Sequence, residues 1–544
     1  MSESYSNISR FLPYRAAQTP EACAVKVPRG HARGNIIYQE LTFKELNERS
    51  DAVARFLQSQ GVVRGTRVLL MVKPGLDLIE ITFALCKLGA VPVIIDPGMG
   101  LRRFLNCVAS ARPEVLLGVP TAWALSWVVT RLFKTRICVG TKRWRKCVEA
   151  FRQPAPFPVT QTRSDELAAV LFTSGSTGAP KGVCYEHGTF EAQVRLLKEQ
   201  YPIELGEVDL PMLPVFALFN PLLGMTTVVP EMNPSRPASV DPHNIVLAIQ
   251  QCKVTNSFGS PTLWTKIGRH CKERGIVLPS MKRILMAGAP VAPSLLELLR
   301  ECFPNAVLYS PYGATEAFPV TNIDNYTILN EIRAHTEAGA GTCVGSPLPE
   351  MDLKIIQIQD GPIPNWEDVQ ECDVGEIGEI VVSGPVVTKS YDQLPKATQQ
   401  VKIMQGNVLW HRMGDVGYLD VKGRLWFCGR KVERVQAKQE TFFTEPVEAV
   451  FNQHPRVFRS ALIGISQGGE IAPALVVQPE KQAWPIGIQA RQAFKKDLTE
   501  WAQQHPKTQG IREFFFAKDF PVDVRHNAKI HRLALAKSIA HDQL

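Results

Sequence analysis

No two cysteines stand at C-x-x-C spacing, and no Cys/His cluster has the spacing of a zinc site: the 12 cysteines are scattered from Cys23 to Cys428. That scatter argues against a metal-stapled or disulfide framework, so reduced thiols packed as small apolar side chains are expected. No stretch of about 18 or more apolar residues occurs, which argues against a spanning helix. The start, MSESYSNISRFLPYR, lacks the charged opening and unbroken apolar core of a secretory signal, so a cytoplasmic location is expected. No internal repeat or low-complexity tract is visible.

What is present is a chain of 544 residues, 45% apolar and 21% charged, the composition of a multidomain globular protein. The net charge of +9 suits nucleic acid, acidic metabolites or anionic membrane surfaces but is weak evidence alone, and no nucleic-acid partner is expected. Residues 115–130, VLLGVPTAWALSWVVT, are almost wholly apolar. Residues 131–146 then carry Arg131, Lys134, Arg136, Lys142, Arg143, Arg145 and Lys146 without an acid. One reading is a core strand and helix followed by a solvated basic loop. The other is peripheral contact with a membrane or a partner enzyme through the basic segment 131–146.

Between residues 60 and 320, short branched-apolar runs alternate with longer amphipathic segments, as in RVLLMV, LDLIEITFALCKLG and AVPVIID. That βαβ rhythm predicts parallel strands with crossover helices. From about 340 to 428 the pattern turns to short strands separated by Gly and Asp turns, which predicts a small antiparallel β unit. The fold class is therefore α/β: a large N-terminal domain, residues 1–428, of parallel α/β sheets plus that antiparallel unit. A hinge at 429–433 joins it to a small mobile α+β domain, 434–544.

The strongest local signal is LFTSGSTGAPKG, residues 171–182. An apolar run ends at Phe172, and Thr173, Ser174, Gly175, Ser176, Thr177 and Gly178 follow, with Lys181 at the far side. Small residues let backbone N–H groups approach a polyphosphate, hydroxyls add donors, and the lysine adds charge. It is not a Walker A loop, because Gly182 follows Lys181 and the glycine spacing differs.

This segment resembles the phosphate loop of the adenylate-forming superfamily, which holds acyl-CoA synthetases, peptide-synthetase adenylation domains and luciferases. Further segments resemble its other motifs in the same order. YGATE at 312–316 implies that Tyr312 and Gly313 border adenine, that Thr315 contacts the α-phosphate and that Glu316 holds Mg²⁺. AGAP at 287–290 implies Gly288, Ala289 and Pro290 along the adenine. HRMGDVG implies Asp415 on the ribose hydroxyls, which suits a carboxylate accepting two hydrogen bonds. CGRK implies Arg430 beside them. DVRHNAKI implies Lys529 as the lysine brought in by domain closure, a cation bridging two anions. The resemblance thus implies ATP and Mg²⁺ as cofactors.

In thioester-forming members the junction motif carries a glycine that admits a pantetheine arm. Here GRKVERVQAKQETFFTEPVE places Val432 at the usual pivot and has no glycine between Gly429 and Glu448. These departures, with residues 208–238 and TEAGAGTCVGS (336–346), are similar to the β-lactone synthetases of bacterial long-chain olefin biosynthesis. That likeness implies adenylation of a 2-alkyl-3-hydroxyalkanoic acid bearing long alkyl chains, ring closure by its own 3-hydroxyl, no CoA, and other olefin-pathway enzymes as partners. Among Val215, Phe216, Leu218, Phe219, Leu222, Leu223 and Met225, the residues Phe216 and Phe219 are candidates for the alkyl pocket; an ordinary core is the alternative. His187 and His411 lie near motifs, but no base for the hydroxyl can be named. A long-chain acyl-CoA or acyl-carrier ligase, and a non-catalytic binding protein on the same fold, are the competing readings.

Overall fold

The computed structural model describes residues 5–129, 132–173, 179–213, 217–233, 236–522 and 530–540. After α1 (Phe11–Gln18) comes the hairpin β1 (Cys23–Ala32) and β2 (Asn35–Thr42). Thr42 then starts α2 (Phe43–Ser59) through a reciprocal capping box with Glu45. The βαβ run follows as β3 (Arg67–Met71), α3 (Leu76–Leu88), β4 (Val91–Ile94), α4 (Leu101–Ala111), β5 (Val115–Gly118), α5 (Pro120–Val129), β6 (Thr135–Cys138), α6 (Lys142–Glu149) and β7 (Leu167–Thr173). Its strands lie parallel in the order β6-β5-β3-β4-β7, and β8 (Lys181–Glu186) closes antiparallel on β7. All five parallel strands therefore present their carboxyl ends to one edge, where open α/β sheets carry ligand loops. Thr173, the residue before the glycine- and hydroxyl-rich segment, lies at that edge and pairs with Lys181 of β8.

A second sheet follows α7 (His187–Gln200): β9 (Val208–Asp209), β10 (Thr226–Val228), β11 (Asn256–Gly259), β12 (Arg283–Met286) and β13 (Val307–Tyr309) run parallel and join β1 and β2 in the order β13-β12-β11-β9-β10-β1-β2. The antiparallel unit holds β14 (Tyr312–Ala314), β15 (Ala317–Asn322), β16 (Thr342–Pro347), β17 (Asp352–Ile356), β18 (Gly378–Ser383), β19 (Lys402–Gln405), β20 (Val408–Leu419) and β21 (Leu425–Arg430). It begins earlier than the expected residue 340, because the tight turn after Tyr312 already folds β14 back on β15. Beyond it, a pair β22 (Val435–Gln436) and β23 (Thr441–Phe442) precedes β24 (Val457–Gln467), β25 (Glu470–Pro479) and β26 (Glu513–Phe516). These last three form their own sheet, over a core that includes Val435, Phe451, Phe494 and Phe514. Among the described residues no helix is long and apolar enough to cross a membrane.

One polar knot fastens the first sheet's helices. Lys87 on α3 is fully buried and donates to Asp51 Oδ1 at 2.5 Å, Asn47 Oδ1 at 2.8 Å and Ser50 Oγ at 2.8 Å, all on α2. Burial pushes its amine down to about 8 against the pull of Asp51. Asp51→Ala strands this charge without its carboxylate and should destabilise the protein by about 3–5 kcal/mol. Adding Lys87→Met should recover much of the loss in chemical denaturation; a double variant no more stable than the single would show that the ion pair is not the source.

Candidate active site

The antiparallel register of β20 and β21 sets Asp415 opposite Arg430. Arg430 Nη1 lies 2.8 Å from Asp415 Oδ1. Tyr312 Oη, arriving on β14, donates to Asp415 Oδ2 at 2.6 Å. Burial and then the Asp415 charge hold the Tyr312 hydroxyl well above its ordinary pKa, so it remains a donor. A tight turn positions this tyrosine: a Cβ at Gly313 would sit 2.4 Å from Ala317 O, so only glycine fits. Tyr312, Gly313, Asp415 and Arg430 are thus brought together.

Glu316 follows the same turn. Tyr391 Oη donates to its Oε1 at 2.8 Å, and its backbone carbonyl accepts from Thr388 N at 2.8 Å and Thr388 Oγ1 at 3.0 Å. Lys181 Nζ stands 4.7 Å from the Tyr391 ring centre, so the lysine beyond the phosphate-loop segment and the Glu316 carboxylate share one tyrosine. Thr315 is held through its carbonyl by Tyr185 Oη at 2.6 Å. Among the described residues no group of three or more His, Cys, Asp or Glu side chains could hold a metal. A single half-buried carboxylate instead fits Mg²⁺ that arrives with a polyphosphate and keeps its waters.

Gly288, Ala289 and Pro290 follow β12. Leu285 pairs with Tyr309, which puts this segment beside the chain leading to Tyr312 at one sheet edge. Gly288 turns the chain there with φ 95. Thr173 ends β7 at the corresponding edge of the first sheet. Ser174, Gly175, Ser176, Thr177, Gly178, Phe216 and Lys529 lie outside the described residues. Phe219, Leu222, Leu223 and Met225 belong to a packed core with Tyr201. Phe219 lies 6.3 Å from Phe190, which stacks on Tyr185 at 4.9 Å, and Tyr185 in turn holds the Thr315 carbonyl. His187 and His411 are both buried. Burial pushes His187 down to about 4 and His411 well below the ordinary imidazole range, Lys402 and Lys181 adding to the latter.

Sequence reasoning missed Tyr391, Lys402 and Tyr185. Lys402 sits in the polar run KATQQVKIMQG and is buried only because β19 pairs with β20, opposite His411. Its amine donates to Thr388 O. Also missed was an apolar cavity of about 30 Å³ between α3 and the second sheet, lined by Leu78, Ile79, Met212, Ala217, Val229 and Met232.

Residues 12–392 match the family described as AMP-binding enzyme. The olefin β-lactone synthetase of Xanthomonas campestris pv. campestris is 41% identical, over 97% of both chains. That of Stenotrophomonas maltophilia is 41% identical over the same shares. Among solved structures, o-succinylbenzoate-CoA synthetase from Bacillus subtilis with its acyl-adenylate intermediate superposes with a TM-score of 0.77 at 21% identity, covering 98% of each chain. At that identity the likeness concerns the fold.

Lys402 supplies a pH test of this site. Burial pushes it down to about 7, with the Glu316 charge opposing. Below pH 7 the folded protein carries this lysine charged at a cost. Above 7 the native amine is neutral while the unfolded one still binds a proton up to about 10.4, so its contribution to stability rises with pH in that window. Thermal midpoints measured at pH 6.5 and 9 should therefore favour the alkaline side more in the parent than in Lys402→Met. Identical pH slopes would mean that Lys402 does not titrate there.

Proposed function

Because the chain belongs to the AMP-binding enzyme family, we propose that it adenylates a 2-alkyl-3-hydroxyalkanoic acid and closes it to a β-lactone in long-chain olefin synthesis. The observation that carries this reading is the 41% identity, end to end, with two olefin β-lactone synthetases. The substrate carboxylate attacks the α-phosphorus of ATP, and pyrophosphate leaves. The 3-hydroxyl oxygen then attacks the anhydride carbonyl, the bond from that carbon to the AMP oxygen breaks, and the hydroxyl proton passes to a base. Chemistry and proximity agree, since the second nucleophile is already attached to the acyl group.

The roles assigned to the described side chains are ones that their surroundings favour. Asp415, set beside Arg430 and Tyr312, offers a carboxylate whose two oxygens can each accept more than one hydrogen bond, which suits the ribose hydroxyls. Lys181 and the backbone of Thr173 to Gly178 hold the outer phosphates, while Gly288, Ala289, Pro290 and Tyr312 border the base. Thr315 meets the α-phosphate. Glu316, oriented by Tyr391, holds Mg²⁺, which when bound neutralises phosphate charge. Lys529 bridges the attacking carboxylate and the α-phosphate.

Residues 429–433 are the hinge between residues 1–428 and 434–544. A Cβ at Gly429 would meet Thr444 Oγ1 at 2.1 Å, and φ there is +130°. Lys431 is tied to the large domain through Gln359 O at 2.9 Å and Glu379 at 3.1 Å. Glu433 is tied to Arg532 of the C-terminal helix at 2.9 Å. Val432, 46% exposed, stands between two oppositely anchored neighbours, which favours rotation about that residue.

Two experiments test the proposal. Lys529→Ala should lower adenylation by roughly two to three orders of magnitude with ATP binding little changed, as for loss of a transition-state donor. Unaltered pyrophosphate release would remove this lysine from the mechanism. The full reaction should need only the hydroxy acid, ATP and Mg²⁺, with AMP followed by chromatography and lactone ring protons by NMR. An acid lacking the 3-hydroxyl should stall as bound adenylate. AMP release that depends on CoA, or a thioester as main product, would replace this reading with an acyl-CoA ligase.

A further inference from the structure

Helix α5 shows its apolar side to solvent. Its exposed positions Thr121, Ala124, Leu125 and Val128 follow the i, i+3, i+4, i+7 spacing of one helical face, and none is charged. Leu125 is 47% exposed, Val128 84%, adjoining Trp127 60% and nearby Leu132 47%. The other side of the helix is seated: Ser126 is buried, and the Trp123 indole N–H points to Arg136 O at 3.4 Å. A helix without charge belongs in a core or in lipid; this one has half of its circumference in neither.

Cations surround it. The Arg136 guanidinium on outer strand β6 lies 4.3 Å from the Trp127 ring centre, and exposed Lys134, paired with Glu114 at 2.5 Å, precedes the same strand. The crossovers β4–α4–β5 and β5–α5–β6 step the same way along the sheet, so right-handed connections place α4 and α5 on one face. On α4 the exposed residues include Leu101, Arg102 and Arg103. Between residues 101 and 148 the only acid is Glu114. The basic run is itself divided: Trp144 of α6 packs with α2 and α3 on the opposite face, taking Lys142 to Lys146 with it.

We propose that α5, with Trp127 and Leu132, seats on a lipid surface bearing anionic headgroups, while the cations of α4 and β6 pair with lipid phosphates. A ten-residue helix is about 15 Å long. Its face offers far less than the roughly 800 Å² per partner of a stable protein interface. A few apolar side chains at headgroup depth, joined by several cations, do suffice for reversible lipid binding. A tryptophan under an arginine, apolar body with polar tip, matches the same boundary. The inference stands apart from the proposed chemistry, although an acid with long alkyl chains would itself partition into such a surface.

The full-length protein should co-sediment with phosphatidylcholine vesicles containing phosphatidylglycerol about tenfold more strongly than with phosphatidylcholine alone, and less so as salt rises. Leu125→Ser with Val128→Ser, and separately Arg102→Glu with Arg103→Glu, should each weaken binding about tenfold or more, with unchanged thermal midpoints as the control for folding. Variants that sediment like the parent would overturn the proposal, as would a parent that stays in the supernatant with anionic vesicles at low salt. A dimer in light scattering that Leu125→Ser with Val128→Ser dissolves, without vesicle binding, would assign the face to a second copy instead.

Discussion

Asp415 is buried to 4% exposure, and the arrangement around it depends on how that charge is compensated. An isolated carboxylate in a protein interior is unfavourable by several kcal/mol unless it is paired and hydrogen-bonded. Here the pairing is split between oxygens: Arg430 beside Oδ1, Tyr312 donating to Oδ2. The three residues come from β21, β20 and β14, and Tyr312 is 103 residues from its partner. A one-residue slip of β20 against β21 would turn Asp415 to the other face and leave Arg430 and Tyr312 without it. Sheet register and site geometry are therefore one condition.

That condition extends to the domain junction. Arg430 ends β21, so the residue that compensates Asp415 is also the last strand residue before Lys431 and Val432. Lys431 shares Glu379 with the fully buried Arg412, which leaves the large-domain side of the junction rigid. On the other side Arg532 gathers both Glu433 and Glu448. If residues 429–433 act as the proposed hinge, these anchors would confine motion to the few bonds between them. On the proposed chemistry that confinement matters, because a lysine carried on the small domain must reach the α-phosphate at a defined place rather than diffuse near it.

Much of this was legible in the sequence because the decisive residues are clustered in short motifs. YGATE and CGRK set Tyr312 and Arg430 at strand ends, while HRMGD sets Asp415 within β20, and the resemblance of these short motifs was enough to single out the three residues that the structure brings together. Tyr391, Lys402 and Tyr185 carry no such local mark. They meet Glu316 or its flanking residues only through the closing of β8 on β7, the bridge of Val183 to Tyr391 and the pairing of β19 with β20. Periodicity describes which face of an element is apolar, not which distant element covers it. The same limit explains why residues 115–146 read as one apolar-then-basic patch. The sheet alternates side-chain direction along β6, so Arg136 turns to α5 while Ile137 turns to the core under α2 and α3.

On the proposed chemistry, the junction need not carry the glycine that the resemblance to thioester-forming members implies for theirs. A pantetheine arm must pass between the two domains after adenylation, so backbone there must stay thin and the small domain must offer a second stable pose. An internal hydroxyl needs neither, since it arrives with the acyl group and attacks within the site already formed. Selection on the junction then reduces to letting substrate in and AMP out. An aliphatic pivot such as Val432 meets that demand: it adds no charge that would lock either pose, and its side chain is half in solvent here. The residues around it still hold ion pairs, Lys431 with Glu379 and Glu433 with Arg532, which on the proposed chemistry would give the small domain a defined pose.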